Sequence, residues 1–228
     1  MREPFASSAE HRDVMVICPT RYEASAIRRA ARLRRSLVLV SGPGGDAVRR
    51  AVVSVRDRVD RVILAGLAGG LDPAVTPGSA YAVSRASSID GRRFDASWIV
   101  RDLPNARLVT APAVVSTAIE KSALSQRSGA SMVDLEGYHF ADQASAERLR
   151  WCIVRGISDG HDQELPPGID KLVSPRGRTR CVRAILWTMM HKKHLEEMSA
   201  IVGQSMAALQ LVGGAVRRSL DDSTGGRR

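Results

Sequence analysis

Apolar positions alternate between two rhythms along the first third of the chain. Val14 to Cys18 is a short apolar run of the kind that fills a buried parallel strand, and Leu37 to Val40 and Val62 to Ala65 repeat it. Between these runs, about Tyr22 to Leu33 has helical spacing, and Ala47, Val48, Ala51, Val52 and Val55 fall on one face of a second helix. Gly66 closes the third run. The order strand, helix, strand, helix, strand predicts a sheet wound with right-handed crossovers, whose ligand sites lie at the carboxyl ends of the strands.

From Ser79 to Thr110 the rhythm shortens. Ala80 to Val83, Trp98 to Val100 and Arg107 to Thr110 read as strands around an Asp90-Gly91 hairpin turn. A helix over Thr117 to Gln126, a strand over Met132 to Leu135, a helix over Tyr138 to Leu149 and a buried strand over Cys152 to Ile157 follow. About Thr179 to Leu220 is mainly helical, with Leu195, Met198, Val202, Met206, Leu209, Val212, Val216 and Leu220 in a stripe that suits core or subunit interface. The whole predicts one α/β domain over 13–220, a mixed, mostly parallel central sheet flanked by helices with a helical C-terminal region, between loose tails at 1–12 and 221–228.

Composition narrows the role. The formal charge of +10 invites a nucleic-acid reading, but Arg28, Arg29, Arg32, Arg34 and Arg35 interleave with Ile27, Ala30, Ala31 and Leu33 as a solvated helix face. Aromatic residues make up 4% of the chain, too few for a base-stacking platform, so specific nucleic-acid binding is not expected. Cys18, Cys152 and Cys181 form no CxxC pair, no leader-like segment opens the sequence, and no apolar run approaches a membrane span; a cytoplasmic setting is expected.

Three acids close predicted elements: Glu23 after the first strand, Glu136 after Val133-Asp134-Leu135, and Asp159 after Cys152 to Ile157. Strand ends of a parallel sheet share a rim, so the three could converge. Carboxyl groups serve every step of cleaving a sugar from its leaving group: a proton for the leaving group, stabilisation of the sugar cation, and activation of the nucleophile. Structural roles compete. Glu23 suits the first turn of a helix, Glu136 a helix entry with Asp134 as rival cap, and Asp159 a turn. His139 and His161 read as helix-surface and loop residues, and Cys152 as an inert core thiol.

Gly66-Leu67-Ala68-Gly69-Gly70-Leu71-Asp72-Pro73 with Pro77-Gly78 resembles the glycine-rich strand end of the nucleoside phosphorylase/nucleosidase superfamily. Val133-Asp134-Leu135-Glu136-Gly137 resembles its ribose motif, and Val154-Arg155-Gly156-Ile157-Ser158-Asp159 its acid motif, in the same order and separations. The resemblance covers about Val14 to Asp162 and implies cleavage of a purine N-ribosidic bond. It implies that Asp159 protonates N7 of the base, Glu136 binds the ribose hydroxyls and Glu23 orients an attacking water. Further substrate contacts would come from Leu135, Ser158, Gly66, Leu67, Ala68 and Gly69, the glycines and alanine letting backbone approach the ligand. Val114 and Val115 would line the base pocket, where many relatives carry an aromatic residue. No cofactor or metal is implied.

Phosphate as the nucleophile would need cationic and hydroxyl donors. Leu64 and Leu67 stand where hexameric phosphorylases carry arginine and serine, and Glu23 is an anion beside that place, so water is the expected nucleophile. Thr20, Arg21, Arg49 and Arg50 leave open a different phosphate site, with phosphate as co-substrate. Past Asp159, Leu165-Pro166-Pro167, Leu172-Val173 and the basic helical C-terminal region resemble the hopanoid-associated branch, which implies an adenine nucleoside with a large, lipid-like 5′ group and peripheral contact with an anionic membrane. The superfamily also implies a homo-oligomer. The contrasting class is a non-catalytic nucleoside-binding protein on the same fold.

Overall fold

A computed structural model of the chain describes residues 13–165 and 195–225. The expected N-terminal tail, the Pro166-Pro167 and Leu172-Val173 segments, Cys181 and the helical stretch expected from Thr179 up to residue 194 lie outside the described residues. The elements are β1 (Asp13–Cys18), α1 (Arg21–Ala30), β2 (Val38–Val40), α2 (Gly45–Val55), β3 (Val59–Gly70), β4 (Ala80–Ser88), β5 (Arg93–Asp95), β6 (Asn105–Thr110), α3 (Ala118–Ser128), β7 (Met132–Asp134), α4 (Gly137–Ala146), β8 (Arg150–Asp159) and α5 (Leu195–Gly225).

The eight strands run in the order β2-β1-β3-β7-β6-β4-β5, with β8 bridging β3 and β4. Five of them, β3, β7, β6, β4 and β8, therefore close a ring of pairings, while β1 and β2 extend from it as a parallel wing. The pairing is mixed: β3 runs parallel to β1 and β8 but antiparallel to β7. One apolar cluster joins Ile17, Leu64 and Ile153 to Val48 and Val52 of α2 and Phe140 of α4. On the other side, Val16, Ile63 and Val154 join Ile27 of α1 and Leu209, Val212 and Val216 of α5. The sheet is a layer between two helical layers, the arrangement that buries both of its faces.

Several boundaries differ from those the sequence predicts. β3 does not stop at Gly66 but continues to Gly70, because β8 pairs with it through Gly69, passing over Ser158 at a bulge, and β7 pairs with its last two glycines. Trp98 to Val100 is not a strand; those residues are apolar because Val100 and Trp98 fill the α1–α5 side of the core from a loop, and the hairpin partner of β4 is Arg93–Asp95. Helix α1 ends at Ala30, and Arg32 follows with a left-handed φ of 52°. Similarly, α4 ends at Ala146, before Arg148 at φ 57°.

The C-terminal helix brings two corrections. It runs on through Gly225, into the segment read as a loose tail, with Arg217 and Asp221 paired at 3.6 Å across one turn. By length and composition its Ser199–Asp221 stretch could cross a membrane, contrary to the expectation that no apolar run is long enough. In the fold one face of that stretch packs into the core, where Ala208, Leu209, Val212, Ala215 and Val216 are fully buried, whereas Val202 of the predicted stripe and Leu211 beside it are half exposed. Glycines set its seat. A Cβ on Gly156 of β8 would lie 2.7 Å from the Ala208 side chain, and one on Gly213 would lie 2.5 Å from that of Ala30, so each glycine permits a contact that a larger residue would push apart.

Candidate active site

A cavity of about 610 Å³ opens where β1, β3, β7 and β8 end against α5 and the loops after β2 and β6. Glu23, Leu67, Ala68, Gly69, Val114, Val115, Leu135, Glu136, Ser158 and Asp159 line it, so the candidate residues converge as expected, with Gly66 behind the wall. The route differs from a shared rim of parallel strands. β7 runs antiparallel to β3, placing Asp134 and Glu136 back along β3 from Gly69, towards Gly66 and the Glu23 side of the cavity.

Glu23 arrives there through a capping box. Thr20 is the N-cap of α1; its hydroxyl accepts from Glu23 N, and Glu23 Oε2 accepts from Thr20 N at 2.8 Å and from Thr20 Oγ1 at 2.6 Å. The structural role and a site role thus coincide, because Glu23 Oε1 turns to accept from Leu67 N at 2.8 Å on β3. Burial pushes the Glu23 carboxyl above its ordinary range, against the restraint of the Thr20 hydrogen bonds and the nearby Arg155 charge.

Glu136 and Asp134 divide the two roles that compete at the start of α4. Asp134 accepts from Gly137 N at 2.9 Å and Glu136 N at 3.3 Å, and from Thr110 Oγ1 at 2.7 Å, so Asp134 is the cap. Glu136 makes no cap bond with its side chain. Its Oε1 accepts instead from Gly44 N at 2.8 Å, a donor presented by the glycine that enters α2 at φ 89°. Burial first, and then Asp134 and Glu23, push Glu136 up to about 7, with Arg155 opposing them.

Arg155, opposite Gly66 on β8, is fully buried among these acids. Its Nε donates to Asp134 Oδ2 at 3.0 Å, while Nη2 pairs with Asp134 and reaches Glu136 Oε2 at 3.4 Å. Burial works against its charge, but Asp134, Glu136 and Glu23 together outweigh burial and raise its pKa. Nη1 finds no acceptor among the described residues. A Cβ on Gly66 would lie 2.5 Å from Glu23 Oε1 and 2.7 Å from Arg155 Nη1. Gly66 therefore makes room for these two side chains, and it stands outside the lining of the cavity.

The other end of the cavity holds Asp159. It pairs in register with Gly69, and its carboxylate lies over that glycine. Ser158 Oγ donates to Oδ1 at 2.5 Å, and Oδ2 meets Lys121 Nζ at 2.5 Å. Valines Val114 and Val115 stand on the approach to α3, and Ile201 and Ser205 of α5 complete the wall.

Arg155 and Asp134 lie inside the motifs that carry the resemblance, so their positions were in view without their roles. Lys121 gave no signal, since a lysine on a helix ordinarily reads as solvated. Of the residues weighed for a phosphate site, Thr20 lines the cavity with its hydroxyl given to Glu23, whereas Arg49 is paired with Asp142 at 2.7 Å and with His139, and Arg21 and Arg50 are exposed. Leu64 is fully buried in the core. Cys18 and Cys152 are buried free thiols whose pKa burial raises, as suits inert core residues.

No protein-family model and no curated protein matches the sequence. Solved structures do match the fold. A 5′-methylthioadenosine/S-adenosylhomocysteine nucleosidase of Helicobacter pylori is 13% identical, with 93% of this chain and 99% of that one covered at a TM-score of 0.68. A futalosine hydrolase of the same organism is 14% identical over 95% and 100% of the two chains, also at 0.68. A nucleosidase of the first kind from Chlamydia trachomatis, bound to MTA, is 16% identical over 92% and 97% at 0.63. The chain shares the mixed α/β fold of these solved structures.

Proposed function

We propose that this protein is a nucleosidase that cleaves the N-ribosidic bond of a purine nucleoside with water as the nucleophile. The carrying observation is the cavity on which Glu23, Glu136 and Asp159 converge, with the buried Glu23 carboxylate on its wall and within reach of the charge of Arg155. A water in the cavity beside Glu23 would donate to its carboxylate, which is the polarity needed to aim a lone pair at C1′. Glu136, held by Gly44 N and Arg155, takes the ribose hydroxyls, and Asp159 with Ser158 protonates the base between Val114 and Val115. Two anions beside the nucleophile position disfavour phosphate there. The same-fold neighbours that act on 5′-methylthioadenosine, S-adenosylhomocysteine and futalosine support this reading.

The finer reading is an adenine nucleoside with a bulky apolar 5′ group, such as the adenosyl-lipid of the hopanoid-associated branch. Pro112, Val114, Val115, Leu165 and Ile201 give the cavity an apolar lining that suits such a tail. Arg28, Arg29, Arg32, Arg34 and Arg35 are exposed and meet no acid among the described residues, which suits docking at an anionic membrane by a cytoplasmic, homo-oligomeric enzyme.

The test is product analysis with adenosine, 5′-methylthioadenosine and a long-chain 5′-alkylthioadenosine, with and without phosphate. Free base and free sugar in both conditions are expected, with the long-chain nucleoside preferred, and Asp159→Asn should lower kcat about a thousandfold. Sugar 1-phosphate formed only with phosphate would make the protein a phosphorylase. Binding without turnover would leave a nucleoside-binding protein.

A further inference from the structure

Lys121 is a buried cation that the reaction above leaves unused. It sits on α3 with none of its surface exposed, and lysine is almost never fully buried unless paired. Its Nζ meets three acceptors: Asp159 Oδ2 at 2.5 Å, Gly160 O at 2.7 Å and Gln163 O at 2.7 Å. An ammonium has three hydrogens for these three oxygens; a neutral amine would leave one unserved. With Ser158 donating to Oδ1, Asp159 is held between two donors. A carboxylate so held has no proton of its own to give a leaving purine.

We propose that Lys121 is a positioning residue that stores the proton Asp159 delivers, so that the acid of this site is the Lys121–Asp159 pair. The inference rests on the nucleosidase reading. As the C1′–N bond breaks, its electron pair passes into the purine. Asp159 takes a proton from Lys121 Nζ along their hydrogen bond and passes it to a purine nitrogen, leaving the amine neutral. The water oxygen bonds to C1′ and its proton passes to Glu23. That proton returns through solvent to Lys121 after the products leave, so one water is consumed and no net proton.

Other ionisable groups nearby do not offer an equivalent source. On the loop after β8, His161, Asp162 and Glu164 are partly or fully exposed, with His161 and Asp162 3.7 Å apart. On α3, Glu120 is exposed and bound to the backbone at Ser116 and Thr117. After β3, Asp72 accepts from Ala74 N. Facing Asp159, β3 and β7 present Gly69 and Val133, which do not titrate. The competing role for Lys121 is that of a pin: its bonds to Gly160 and Gln163 fix the segment that carries Leu165 to the cavity wall.

The pH dependence of base release separates the two roles. In the wild type, kcat/KM should hold from neutral pH into the alkaline range where an ordinary lysine amine gives up its proton, about pH 10. Lys121→Met and Lys121→Gln should lose activity as pH rises, with the alkaline limb about two units lower, recover it on acidification, and keep KM within about threefold. Lys121→Arg keeps the charge but does not release a proton in this range, so it should not restore the limb. A folded Met or Gln variant with an unmoved limb, or full rescue by arginine, overturns the proposal. If the variants do not fold, the wild type decides: an alkaline limb at or below about pH 7 overturns it, and one at about pH 10 supports it. Absence of base release from every nucleoside would sink the nucleosidase reading and this inference with it, whereas base release with an unmoved limb sinks this inference alone.

Discussion

At one end of the cavity Asp134 and Glu136 share the guanidinium of Arg155, with the carboxylate of Glu23 near enough to feel its charge; at the other, the carboxylate of Asp159 meets the ammonium of Lys121. All six side chains are nearly or fully buried. The first end carries surplus negative charge, and the consequence is visible in Glu136, pushed up to about 7. The second end is balanced. Desolvation cost falls on both, but only an unbalanced cluster can relieve it by taking up protons near neutrality. A surplus of carboxylates suits a site that receives a proton from water, and a matched pair suits one that passes a proton on.

The largest expected effect comes from removing the shared cation. Arg155→Met strands three buried acids and should cost about 3–5 kcal/mol of stability in urea unfolding near neutral pH, and less under acid conditions where the acids are protonated. A loss that does not shrink on acidification would contradict the surplus-charge account. The two glycines, one at each end, offer a smaller contrast. Gly66→Ala places a methyl within 2.5 Å of Glu23 Oε1 and 2.7 Å of Arg155 Nη1, whereas Gly69→Ala places one 3.1 Å from Asp159 Oδ2. Gly66→Ala should cost about 1–3 kcal/mol and lower kcat/KM the more, by about tenfold to a hundredfold. Equal effects of the two substitutions would show that the ends are not differently crowded.

Stability should also depend on pH in a direction set by the first end. Glu136 is raised from 4.5 to about 7 in the folded protein, so between those values the folded state holds a proton that the unfolded state has released. Its contribution is full below pH 4.5 and is lost as pH rises through about 7; Glu23, also raised, acts in the same direction. Thermal unfolding should show Tm falling by roughly 5 °C across this window, with the slope reduced in Glu136→Gln. A Tm that rises steadily from pH 4.5 to about 7 would oppose it.

Most of this framework was legible in the sequence where one physical signal dominated. Buried strands announce themselves as apolar runs, and the three acids at element ends did converge. Local signals misled where tertiary partners overrode them. Glycines normally weaken a strand, yet β3 runs through Gly66, Gly69 and Gly70 because strands on both sides pair with it. The apolar Trp98 to Val100 read as a strand when it is a core-filling loop. The division between Asp134 as cap and Glu136 as site acid needed three dimensions, since either residue suits a helix entry in sequence. Lys121 was invisible for a related reason: its acceptors, Asp159, Gly160 and Gln163, lie on another strand and its following loop.

The smallest expected effect tests whether the two ends titrate independently. Thr20→Val removes both arms of the hydroxyl's contact with Glu23, the donation to Oε2 at 2.6 Å and the acceptance from Glu23 N at 3.2 Å, while Thr20 N still donates. Loss of the cap should cost about 1 kcal/mol. The Thr20 side chain is also the strongest restraint on the rise of Glu23 caused by burial, so removing it should push Glu23 higher. On the proposed mechanism the water needs Glu23 ionised, so the acidic limb of kcat/KM should move to higher pH while the alkaline limb, assigned there to the Lys121–Asp159 end, stays in place. Movement of both limbs together would mean that the cavity titrates as one coupled set and that the division into a surplus end and a matched end is wrong.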